Sequence, residues 1–138
     1  MTRHIPEFLA MFDRLLATPS VSCTEPRWDE GNLGVVELLA EWTETLGFRC
    51  EIQPMPQRAD KANLIAVLGE GPGGLVLSGH TDTVPYDEAL WNMNPFGLTV
   101  HAERLYGLGA SDMQGQHNAL PGYHSIKDPK DRAKFEKA

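Results

Sequence analysis

The residue types that could do chemistry in this chain gather in two short stretches. Ser78-Gly79-His80-Thr81-Asp82-Thr83-Val84-Pro85 sets an imidazole and a carboxylate two residues apart. Further along, Gly107-Leu108-Gly109-Ala110-Ser111-Asp112-Met113 brings a second carboxylate into a glycine-rich turn. A neutral imidazole nitrogen is the commonest protein metal ligand. A carboxylate that reaches its other ring nitrogen fixes the tautomer and raises the basicity of the ligand. Asp112 is a candidate ligand in its turn, because Gly107 and Gly109 let the backbone bend closely around an ion. A zinc-like ion held there would polarise an acyl oxygen and bring the pKa of a bound water towards about 7. One histidine and two carboxylates make part of a metal site and leave the rest to be found.

A bare His-x-Asp pair is more often a hydrogen-bonded loop than a metal site, so the elements that position it matter. Ile5, Phe8, Leu9, Phe12, Leu15 and Leu16 recur at three- and four-residue steps and predict a first helix. Pro19 stops it, since the residue before a proline is pushed out of the helical region. A second helix is expected from about Glu30 to Leu46, burying Val35, Leu38, Leu39, Trp42 and Leu46, with Gly47 as its C-cap. Phe48, Cys50 and Ile52 alternate with polar residues as a half-exposed strand does. Pro54 to Lys61 reads as a polar connection, and Asn63 to Leu68 as a second strand. Leu75-Val76-Leu77 has no alternation and is expected to be a central strand covered on both faces. Tyr86 to Val100 is a loop in which Trp91 and Phe96 pack, and Thr99 to Tyr106 has the length of a short hairpin or strand. The fold class expected is α/β, a mixed sheet with flanking helices. In such sheets ligands collect at the carboxyl ends of strands, which is where His80 and Asp82 stand.

Composition narrows the partners. The 138 residues carry 12 basic and 19 acidic side chains, a formal net charge of -7. That balance disfavours nucleic acid and anionic membrane surfaces, which would repel it. No apolar run approaches the roughly 20 residues of a membrane span. No secretory signal opens the chain, so a cytoplasmic setting is expected. The two cysteines, Cys23 and Cys50, suggest reduced thiols rather than a disulfide framework. No Gly-x-Ser-x-Gly elbow is present, and the Gly107-Leu108-Gly109 turn lacks the third glycine of a dinucleotide fingerprint.

The stretch Gly79 to Pro85, taken with Leu105-Tyr106-Gly107-Leu108-Gly109-Ala110-Ser111-Asp112-Met113, resembles the M20 family of co-catalytic metallopeptidases and deacylases. The resemblance extends through Ala17 to Ser22, Trp42 to Gly47 and Trp91 to Phe96, and covers roughly residues 5 to 115. It implies the N-terminal part of a zinc-peptidase-like catalytic domain over 1–115, truncated, followed by a divergent basic tail over 116–138. It implies two zinc or cobalt ions per site in the intact family. It gives His80 the role of metal ligand, Asp82 that of the catalytic carboxylate orienting it, and Asp112 that of the aspartate bridging both metals. The implied reaction is hydrolysis of an N-acyl amino acid, nearest to the members that release acetate from N2-acetyl-ornithine in arginine biosynthesis. Members acting on succinyl-diaminopimelate or dipeptides are the alternative, as is a catalytically dead metal-binding remnant. The family's paired glutamates, its other acidic ligand, its final histidine and its dimerising lid domain have no counterpart here. Gln114 also stands where lysine is usual. Little activity is therefore expected of this chain alone, and the substrate-binding residues are left unassigned.

Overall fold

A computed structural model describes residues 6–111. Helix α1 runs over Phe8–Leu16 and α2 over Leu33–Thr45. Both follow from the three- and four-residue apolar spacing, which gathers one stripe of side chains against a common core. Phe12, Leu15 and Leu16 of α1 are buried, as are Val35, Val36, Leu38, Ala40 and Trp42 of α2. Leu15, Val35, Leu38 and Trp42 form the centre of the core, with Met11 and Leu39 packed against it. Leu46 was expected to belong to this stripe but is 58% exposed. It lies past the last helical turn, where the chain leaves the core. Gly47 has φ +92°, a left-handed conformation that an L side chain resists.

Strands β1 (Arg49–Met55) and β2 (Arg58–Val67) form an antiparallel hairpin under α2. The register pairs Arg49 with Val67 and Pro54 with Ala62, then shifts between Pro54 and Met55. The polar connection expected from Pro54 to Lys61 is therefore almost wholly strand. A proline is tolerated at such an irregularity because the ladder is already interrupted there. Helix α2 docks on β1 partly through Thr43, whose hydroxyl donates to the Leu39 carbonyl (2.8 Å) and lies 3.1 Å from Cys50 Sγ. Both cysteines are free thiols. A second hairpin, β3 (Thr99–His101) and β4 (Arg104–Tyr106), turns at Ala102 and Glu103. Both turn residues have positive φ, as a two-residue hairpin turn of matching twist requires.

The central strand expected at Leu75 to Leu77 does not form. These three residues are 84%, 89% and 86% exposed and carry no strand pairing. A central strand exists only between two neighbours, and the described residues supply two separate two-stranded sheets. The chain is α/β, with α2 packed on the larger hairpin. No helix among the described residues is long and apolar enough to cross a membrane.

The loop before α2 is tied to the hairpin by Asp29, whose side chain is only 8% exposed. Its carboxylate accepts from Lys61 Nζ (2.7 Å), the Cys23 backbone N–H (2.9 Å) and Arg58 Nη1 (2.5 Å). The Lys61 hydrogen bond first, then the Cys23 N–H and Arg58, hold the Asp29 carboxyl well below the usual carboxylate range. Arg58 lowers Asp60 in the same direction. A depressed folded-state pKa contributes stability that is fully present above the unfolded value, about 3.9, and fades as pH falls below it. The urea midpoint is therefore expected to be flat from neutral pH to about 5 and to drop below about 4. Asp29→Asn should flatten that acid limb. An unchanged limb in the variant would mean that the tie does not set the acid stability.

Candidate metal-binding loop

The His80 loop is positioned by a short parallel ladder. Thr83 N–H donates to the Ser20 carbonyl (3.0 Å), and Ser22 N–H donates to the Thr83 carbonyl (2.9 Å), so Val21 and Thr83 form a parallel bridge. The Ser20 hydroxyl, almost fully buried, donates to the Thr81 carbonyl at 2.7 Å. The segment that follows α1 thus fixes the backbone on either side of Asp82. It is held in turn by Glu30, whose N–H donates to the Val21 carbonyl (2.7 Å) and whose Oε2 accepts from the Val21 N–H (3.3 Å).

On this frame His80 and Asp82 meet. His80 Nδ1 lies 3.0 Å from Asp82 Oδ1 and 3.2 Å from the Asp82 carbonyl oxygen. Both partners are acceptors when the carboxylate is ionised, so Nδ1 carries the proton and the ring lone pair resides on Nε2. An imidazole oriented by a carboxylate in this way suits metal ligation through Nε2. Both side chains are about half exposed, at 46% and 50%. An open crevice of about 160 Å³ runs beside Asp82, with Ser22, Glu30, Asn32 and Lys61 among its other walls.

Asp112 lies outside the described residues, as does the tail over 116–138. The approach to Asp112 is described as far as Ser111. Leu108 is buried, Gly109 has φ +83°, and Leu108 N–H donates to the Pro95 carbonyl (2.7 Å). Gly107 has a packing reason that its sequence context did not reveal: a Cβ there would come within 2.5 Å of a Leu16 methyl. Trp91 and Phe96 pack as loop residues, each edge-on to Tyr86 at 6.2 and 5.4 Å between ring centres. Asp13 of α1 anchors the same loop by accepting from Leu98 N–H at 2.7 Å. Among the described residues no three His, Cys, Asp or Glu side chains come together as a metal cluster. The loop's donor set therefore fits one metal ligand with its orienting carboxylate, and fits no complete centre.

Residues 76–120 match the family model described as Peptidase family M20/M25/M40, a span that holds both loops. Over 115 residues, 83% of this chain, it is 51% identical to an acetylornithine deacetylase of Photorhabdus laumondii. It is 51% identical over the same length to an acetylornithine deacetylase of Proteus mirabilis and 48% identical to one of Shigella sonnei. The M20 resemblance is borne out. The mixed helices and small antiparallel sheets described above are consistent with an α/β, partial M20 catalytic domain. The chain spans 30% of the length of these relatives. Motif reading missed Asn32 and Asp29 and gave Ser20, inside the Ala17 to Ser22 stretch, no role of its own. Their main partners, Thr81, Ala62, Lys61 and Arg58, lie far away in sequence.

Proposed function

We propose that this chain is the N-terminal, metal-binding portion of an M20 hydrolase that deacetylates N2-acetyl-ornithine. The observation that carries the reading is the 51% identity over 115 residues to proteins named acetylornithine deacetylase. The His80–Asp82 geometry supports it. On this reading His80 Nε2 and Asp112 hold zinc or cobalt, and the metal supplies polarisation of the acyl oxygen and activation of water. Asp82 keeps the His80 proton on Nδ1 and the ring in line. The substrate is a small N-acyl amino acid, and a cytoplasmic setting and homodimeric assembly go with the intact family. The remaining ligands and the proton-shuttling glutamate have no counterpart in the 138 residues, so the chain alone is expected to turn over N2-acetyl-ornithine negligibly.

The test replaces the matched stretch of the Photorhabdus laumondii protein by the corresponding stretch of this chain. The grafted enzyme is assayed for zinc- or cobalt-dependent release of ornithine. Turnover abolished by chelation is the expected result. A folded graft that binds metal and releases no ornithine would identify a catalytically dead remnant instead.

A further inference from the structure

We propose that Asn32 is a positioning residue for the His80–Asp82 pair, acting through Thr81. In extended backbone, successive side chains point to opposite sides. The loop follows that rule: Thr83 is buried and Thr81 half-buried, while His80 and Asp82 are exposed. His80 and Asp82 can face the same side only while Thr81 is kept facing the other. Asn32, the N-cap residue of α2, does this by donating from Nδ2 to Thr81 Oγ1 at 3.0 Å.

The orientation of the Asn32 amide is fixed by chemistry. Its Oδ1 lies 2.9 Å from the Ala62 N–H, which can only donate, and its Nδ2 lies 3.1 Å from the Ala62 carbonyl, which can only accept. Reversing the amide would set donor against donor and acceptor against acceptor. Asn32 is thereby locked to β2 by two hydrogen bonds and presents its remaining N–H to Thr81. The Ser20 hydroxyl holds the Thr81 carbonyl at 2.7 Å, so the residue between the imidazole and the carboxylate is gripped at both side chain and backbone. The start of α2 and the middle of β2 are thus connected to the loop through one amide.

The value of this positioning for hydrolysis rests on the proposed function, but the geometry can be read without metal or substrate. The experiment is a long-range proton–nitrogen correlation spectrum of the histidine side chains in the full 138-residue chain, at a pH where the ring is neutral. In the unaltered chain His80 is expected as the Nδ1–H tautomer. Thr81→Val removes the hydroxyl that Asn32 donates to and leaves both Asn32–Ala62 bonds in place. It is expected to raise the Nε2–H population about fivefold, the change that follows from losing a hydrogen bond of ordinary net worth. Thr81→Ser, which keeps the hydroxyl, should restore the original spectrum. Asn32→Ala should match Thr81→Val if it folds, and the threonine pair decides the matter if it does not. A Thr81→Val spectrum identical to that of the unaltered chain overturns the proposal, as does an Nε2–H tautomer in the unaltered chain. An inactive graft with the expected tautomers would sink the deacetylase reading and leave the positioning role standing.

Discussion

Replacing His80 by alanine in the grafted enzyme should lower kcat/KM for N2-acetyl-ornithine by about three orders of magnitude. Losing a metal's Lewis-acid contribution forfeits several kcal/mol of transition-state stabilisation, and each 1.36 kcal/mol is tenfold in rate. Asp82→Asn should cost less, about 10- to 100-fold, because it removes the partner that orients the ligand rather than the ligand itself. The structure distinguishes the two because Asp82 meets His80 at Nδ1, on the opposite side of the ring from Nε2. His101→Ala is the internal control. That histidine is exposed on β3, and its loss should leave kcat/KM unchanged. Steady-state kinetics with metal titration reads all three. Equal rates for His80→Ala and the parent would remove His80 from the metal site.

The second large effect concerns the fold. Trp42→Ala is expected to destabilise the chain by about 3–5 kcal/mol, the range for deleting a buried tryptophan. That is comparable with the entire net stability of many domains, so the variant should lose its cooperative urea transition at 25 °C. Trp42 is 4% exposed at the centre of the core, and Arg14 of α1 sits 5.4 Å from its ring centre. Its indole N–H finds no hydrogen-bond partner among the described residues. Trp42→Phe therefore leaves no acceptor stranded and should cost less than about 1.5 kcal/mol. Leu46→Ala, at an exposed position, should stay within about 0.5 kcal/mol of the parent. Urea midpoints by circular dichroism compare the three. A Leu46→Ala loss as large as that of Trp42→Ala would contradict a core centred on Trp42.

The helices were legible in the sequence because apolar residues at three- and four-residue spacing line up on one side only when the backbone is helical. Gly47 was legible because a helix end followed by glycine has a definite stereochemical reason. The His80–Asp82 pair was legible because the two side chains lie within reach along the chain itself. Three other features were not. Pro54 reads as a strand breaker, and only the register shift beside it shows how β1 accommodates a proline. Leu75 to Leu77 reads as a buried strand, but a strand's existence depends on partners that its own residues cannot specify. The frame beneath the His80 loop joins Ser20 to Thr81 and Asn32 to Thr81, 61 and 49 residues apart. Hydrogen bonds of that range leave no periodic trace, and an isolated serine or asparagine gives no sign of which distant carbonyl or hydroxyl it meets.

The exposed Leu75-Val76-Leu77 segment has a thermodynamic consequence beyond its missing pairing. Fully burying an aliphatic side chain of this size contributes about 1.5–3 kcal/mol, so three of them hold roughly 4.5–9 kcal/mol unrealised in water. That matches the whole net stability of a small domain. Any polypeptide that covers the segment raises the folded population of the entire chain by linkage.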